Sequence, residues 1–245
     1  MNSAKFLIRK VKKMLIISII LNLLGAIAIC FAIQRLGGLQ FMYYRLNNQG
    51  LAGQYEHRKT LYEMLPESKG KIIFLGDSLT EGCEWAELLE NPNILNRGIS
   101  GDQTEGILKR LKLVLDLHPQ QLFLMIGVND LLFHSPEKIV ANYRQIVEQI
   151  QVESPLTQLF LQSCLPVNDE VRTITIDNKD LQTINQGIEK IATDFAVPFI
   201  NLYPDFTDNR GNLNTDFTAD GIHLNGKGYA VWKGKIARFV NNDEF

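Results

Sequence analysis

The sequence predicts an α/β protein, a three-layer α/β/α domain built on a parallel sheet and preceded by an N-terminal transmembrane helix. Three observations carry this. From about residue 70 onward, short continuous apolar runs alternate with stretches of helical spacing, as strand–helix–strand units do. Residues 14–34 form an uncharged run of mostly Ile, Leu and Ala, interrupted mainly by Ser18 and Asn22. At about 1.5 Å per residue, that run is long enough to cross ~30 Å of hydrocarbon. Finally, 245 residues with 45% hydrophobic and 21% charged suit one well-packed domain and exclude a disordered or low-complexity chain.

The N-terminus comes first. Residues 1–55 hold seven basic side chains (Lys5, Arg9, Lys10, Lys12, Lys13, Arg35, Arg45) and no acid. Of the chain's 25 basic and 27 acidic residues, 56–245 therefore keeps 18 basic against 27 acidic. An acidic main body argues against a nucleic-acid partner. Five positive charges ahead of the apolar run place residues 1–13 in the cytoplasm as a basic segment, with 14–34 as the anchor. Everything after it then faces the periplasm or exterior, as a single-pass membrane protein. The rival expectation is secretion after signal cleavage near Ala26-Ile27-Ala28, although the apolar stretch runs on past that point. Phe41, Tyr43 and Tyr44, with Arg45, suit an interfacial belt. Residues 35–69, with a helix over 54–65, form a juxtamembrane connector to a domain at 70–245.

Within that domain, residues 71–75 (KIIFL), 121–126 (QLFLMI), 158–162 (QLFLQ) and 197–202 (VPFINL) read as strands buried on both faces. Residues 104–116, 136–153 and 181–195 read as helices between them. In the last, Leu181, Ile184, Ile188, Ile191 and Phe195 recur every three or four residues, with Asp180 as the expected N-cap. Ser135-Pro136 is a sound helix start. Three cysteines without CxxC spacing predict neither a disulfide framework nor a zinc site.

Open parallel sheets bind ligands beyond the carboxyl ends of their strands, and there the sequence places polar clusters. These are Gly76-Asp77-Ser78-Leu79-Thr80, Asn96-Arg97-Gly98-Ile99-Ser100-Gly101-Asp102, Gly127-Val128-Asn129-Asp130 and, near the C-terminus, Asp220-Gly221-Ile222-His223. Each alone is what a turn requires. Together they supply a nucleophile (Ser78), a base (His223) and an acid to orient it (Asp220). Oxyanion donors come from the Ser78 and Gly101 N–H groups and the Asn129 side chain. His57, His118 and His134 are expected on the surface or at caps, and Asp77 and Asp130 in turns.

These four blocks resemble the GDSL (SGNH) family of esterases and lipases, over roughly residues 70–240. The stretches 96–104 and 220–229 are most similar to its platelet-activating-factor acetylhydrolase branch. The resemblance implies a flavodoxin-like SGNH-hydrolase fold and a serine ester hydrolase cleaving short acyl or acetyl esters without cofactor or metal. It implies Ser78, Asp220 and His223 as catalytic residues and Ser78, Gly101 and Asn129 as the oxyanion hole. A carbohydrate O-acetylesterase, a lysophospholipase and a thioesterase are the alternatives within the family, so the substrate partner is a small-molecule, lipid or glycan ester. A catalytically silent, membrane-tethered binding module is the non-enzyme alternative. Oligomeric state is left open. Thr80 stands where a Gly-x-Ser-x-Gly elbow needs its last glycine, and Gly228 where a Gly-x4-Gly-Lys phosphate loop needs Ser or Thr. Residues 79–95 and 164–180 are expected to shape the acyl pocket.

Overall fold

The apolar N-terminal run is one uninterrupted α-helix, α1 (Asn2–Arg35), which contains no proline. The computed structural model describes residues 2–35, 49–66 and 68–240, in two compact units, Met1–Gln49 and Gly50–Phe245. Arg9–Phe31 is the one stretch among the described residues long and apolar enough to cross a membrane, by length and composition. Leu15, Ile19, Leu23 and Ile27 are exposed along it rather than packed inside protein. The belt residues Phe41, Tyr43 and Tyr44 lie outside the described residues.

The second unit opens with α2 (Gln49–Met64), longer than the 54–65 expected. Five strands follow: β1 (Ile72–Gly76), β2 (Ile94–Gly98), β3 (Gln121–Met125), β4 (Gln158–Gln162) and β5 (Phe199–Ile200). All pair in parallel, in the order β2-β1-β3-β4-β5. That is a doubly wound sheet of flavodoxin-like order, in which the chain reverses direction between β1 and β3. Sequence patterning anticipates every strand except β2, whose ILNRG carries two polar residues, and it overextends β5 to six residues where two pair.

Side chains of each strand alternate between two cores. Ile73, Leu75, Leu122 and Leu124 point to the layer of α5 (Thr104–Leu115), α6 (Pro136–Glu153) and α7 (Asn178–Asp194). Ile72, Phe74, Phe123 and Phe160 point to the opposite layer, formed by α3 (Ser78–Glu81), α4 (Trp85–Leu88), α8 (Tyr203–Phe206) and α9 (Gly226–Val240). In-register pairing lines up Phe74, Phe123 and Phe160, which stack at 4.8 and 4.5 Å, with Trp85 at 4.5 Å from Phe74. Trp232 of α9 closes the stack edge-on at 4.8 Å from Trp85. Each such buried side chain is worth roughly 1.5–3 kcal/mol, so the C-terminal helix is fastened to the first strand's face. α7 begins three residues earlier than expected. Its cap is Asp177, whose carboxylate accepts the Lys179 N–H at 2.8 Å, so Asp180 instead sits in the first turn.

Candidate active site

Ser78 is the first residue of α3, two residues past the end of β1. Asp77 caps that helix, accepting the Leu79 N–H at 3.0 Å. The neighbouring strand presses close: a Cβ on Gly98, the last residue of β2, would sit 2.2 Å from the Glu81 nitrogen, so only glycine fits there. Asn96 stitches the same contact. Its amide donates to the carbonyls of Thr80 and Cys83, both at 2.9 Å, and its oxygen accepts the Gly98 N–H at 2.8 Å.

Beyond β2 the chain turns through Gly101 at φ +76°, a left-handed conformation that favours glycine. Asn129 follows β3 at the start of a 3-10 turn, and its Nδ2 donates to the Asp102 carbonyl at 3.0 Å. The loops after β1, β2 and β3 therefore meet at the switch point of the sheet. A wholly buried guanidinium ties the ends of β1 and β2 to the loop after β2. Arg110 donates to Asp102 Oδ2 (2.8 Å), the Arg97 carbonyl (2.9 Å) and the Gly76 carbonyl (3.0 Å).

The loop before α9 brings the remaining groups. Asp220 Oδ1 accepts the N–H groups of Ile222 and His223 at 3.0 and 2.8 Å, while Oδ2 lies 2.7 Å from His223 Nδ1. His223 Nε2 lies 3.0 Å from Ser78 Oγ, across 145 residues of sequence. The loop itself is pinned by Asn168, fully buried, whose N–H donates to the Gly221 carbonyl at 2.8 Å. Ser78, Asp220, His223, Gly101 and Asn129 thus sit on the loops that gather around the end of β1. His57 and His118 lie exposed on the surface, and His134 rests 4.0 Å from Glu105. Segment 164–180 borders a cavity of about 570 Å³ shared with residues 210–212.

Electrostatics separates the carboxylates. Burial pushes Asp77 up to about 7, against the Leu79 N–H that favours its charged form. Burial likewise lifts Asp130 to about 6, although the Thr104 hydroxyl and N–H both donate to it. Asp220 goes the other way. Partial burial works upward, but the His223 ring and the N–H groups of His223 and Ile222 hold it down at about 2. Burial raises the Cys83 thiol to about 12, with Glu84 adding to the shift, and raises Cys164 too, so neither offers a thiolate.

Sequence reasoning missed Arg110 and Asn96. Arg110 had a signal: it is the one charge on the apolar stripe of α5, beside Ile107, Leu111 and Val114, with Asp102 eight residues before it. A buried arginine needs such a partner. Asn96 had none, because its partners are backbone carbonyls.

A doubly wound α/β domain with a serine-bearing turn at its switch point is an SGNH-type domain. The chain belongs to the GDSL-like Lipase/Acylhydrolase family, whose model matches residues 74–231. Among curated proteins, platelet-activating factor acetylhydrolase IB subunit alpha1 of Pongo abelii is 26% identical over 179 residues, covering 69% of this chain and 76% of the relative. A solved Streptococcus pneumonia protein named for platelet activating factor matches with a TM-score of 0.73 at 28% identity, over 81% of this chain and 98% of that one. A GDSL-like lipase from Bacteroides thetaiotaomicron VPI-5482 shares the fold at a TM-score of 0.68 and 24% identity, over 78% and 98% of the two chains.

Proposed function

We propose that this chain is a membrane-tethered serine ester hydrolase that cleaves short acyl esters, acetyl esters first, through an acyl-enzyme on Ser78. The observation that carries it is the unbroken hydrogen-bonded line from Ser78 Oγ through His223 to Asp220, at 3.0 and 2.7 Å. Neutral His223 takes the Ser78 proton at Nε2 as Oγ attacks the ester carbonyl carbon. Asp220 stays ionised, fixes the proton on Nδ1 and stabilises the imidazolium that forms. Carbonyl oxygen becomes an oxyanion, for which the Ser78 and Gly101 N–H groups and the Asn129 amide are the proposed donors. The imidazolium hands its proton to the departing alkoxide. Water, deprotonated by the same nitrogen, then attacks the acyl-enzyme and returns Ser78 with release of the acid.

Acetyl comes first because the acetylhydrolase relative from Pongo abelii spans most of this domain. The division of the chain into a basic segment 1–13, an anchor 14–34, a connector and a hydrolase domain belongs to the same proposal. Support for the anchor is the exposed apolar surface of α1 behind five basic residues. The deciding experiment is hydrolysis of p-nitrophenyl acetate by the full-length protein in detergent, with fluorophosphonate labelling alongside. Ser78→Ala is expected to abolish both, with a loss on the order of 10⁶ in kcat. Retention of more than about a tenth of the rate by a folded variant overturns the nucleophile.

A further inference from the structure

The region matched by the family begins at residue 74, yet α2, which precedes it, is built into the site. Tyr62 of α2 is buried, and its hydroxyl donates to the Gly98 carbonyl at 2.8 Å. Its ring lies between two guanidinium groups, Arg97 at 4.7 Å and Arg58 at 5.1 Å from the ring centroid. One turn earlier on the same helix, Arg58 Nε lies 2.8 Å from Glu81 Oε1, an ion pair outside hydrogen-bond geometry. The other oxygen of that carboxylate accepts the Ser100 N–H at 2.6 Å and the Ser100 hydroxyl at 2.5 Å.

Glu81 is the last residue of the short helix that Ser78 opens, and Ser100 directly precedes Gly101. One carboxylate therefore joins the serine turn to the loop bearing Gly101, and Arg58 holds that carboxylate from outside. Ile99 and Asp102 on either side of Ser100-Gly101 are buried, and the open side is the loop's other flank. There, residues 100–103 border a surface cavity of about 390 Å³ whose far wall includes Tyr55 and Glu56 of α2. A loop beside open space is free to relax into it once its polar ties are cut.

We propose that α2 is a positioning element of the oxyanion loop, in which Arg58, through Glu81 and Ser100, and Tyr62, through Gly98, fix the Gly101 N–H against Ser78. This rests on the role given above to Gly101. Displacing a preorganised donor weakens stabilisation that exists only in the transition state, so kcat falls while KM holds. The test uses full-length protein in detergent with p-nitrophenyl acetate. Arg58→Met is expected to lower kcat about tenfold with KM changed less than about twofold, and Arg58→Lys to recover most of the loss. Tyr62→Phe, which removes one hydroxyl, is expected to lower kcat by about threefold to tenfold. Ser100→Ala combined with Arg58→Met should cost less than the product of the two single losses, because both cut the same tie. His57→Ala, exposed on the same helix, leaves the rate unchanged.

Unchanged kcat in folded Arg58→Met and Tyr62→Phe, or a loss carried wholly by KM, overturns the proposal. So does a loss that Arg58→Lys leaves unrepaired. Should Arg58→Met not fold, Tyr62→Phe and Arg58→Lys decide alone. An active Ser78→Ala would instead defeat the serine mechanism, so the two failures are told apart.

Discussion

The two sides of the cleft solve one problem, holding carboxylates near a serine, in opposite ways. On the side of β1 and β3, Asp77, Asp102 and Asp130 are buried, and Asp77 and Asp130 are pushed upward to about 7 and about 6. On the other, Asp220 and His223 lie on a surface loop with side chains 35% and 49% exposed, and Asp220 is held at about 2. The same side chain is thus turned into framework or into a standing negative charge by its access to water and to N–H donors. The hydrogen-bonded line through His223 singles out Asp220, and the environments of the four separate their charge states.

The sharpest way to break this contrast is to remove one polar group from each side. Asp220→Asn is expected to lower kcat by about 10³–10⁴ with only a modest fall in the thermal midpoint above about pH 4, since it spoils the histidine tautomer and removes one surface charge pair without opening the core. A loss under about tenfold in a folded protein would return Asp220 to the role of a turn residue. Asn129→Ala, on the buried side, should lower kcat by about 10²–10³ with little effect on KM. A large rise in KM at normal kcat would make Asn129 a binding group for the substrate instead.

Stability against pH sharpens the contrast further, because the two kinds of aspartate act with opposite sign. Asp77 titrates higher folded than unfolded, so its contribution is full below about 4 and is lost as pH climbs to about 7. Asp220 titrates lower folded than unfolded, so its contribution is present above about 4 and is lost as pH falls towards 2. The midpoint of thermal unfolding should therefore fall by at least ~3 °C between pH 4 and 7, with Asp77→Asn making that limb shallower and Asp130 keeping the rest of it. Asp220→Asn should flatten only the acid limb. A midpoint that stays level or rises from pH 4 to 7 would contradict a buried, neutral Asp77.

The smallest expected effect concerns α1. Deleting residues 1–35 should leave hydrolysis of a water-soluble acetyl ester within about twofold, because all the groups invoked above lie in the other compact unit. Full-length protein should stay with membranes through a carbonate wash, and external protease should reach its C-terminus. A fragment starting near Ile29 would instead establish signal cleavage.

Most of the sheet was legible because strands buried on both faces read as unbroken apolar runs, as KIIFL and QLFLMI do. β2 was not, because half-buried Asn96 and buried Arg97 donate to backbone carbonyls, and such a partner leaves no trace in composition. Ser78, Gly101, Asn129, Asp220 and His223 stood out because each ends a strand or loop with a residue that turn chemistry alone does not demand in that combination. Arg58, Tyr62 and Glu81 did not. Their contacts join segments between 19 and 36 residues apart and belong to no local pattern.

The span of 145 residues between Ser78 and His223 also sets a timetable. β1 and the serine turn leave the ribosome early, whereas His223 arrives only with the loop before α9, and Trp232 of that helix completes the aromatic stack on β1. Contacts this far apart in sequence form late, since the chain entropy of closing so long a loop must be met first. The meeting of Ser78 with His223 is then among the last contacts the nascent chain completes, so that contact reports completion of folding rather than its onset.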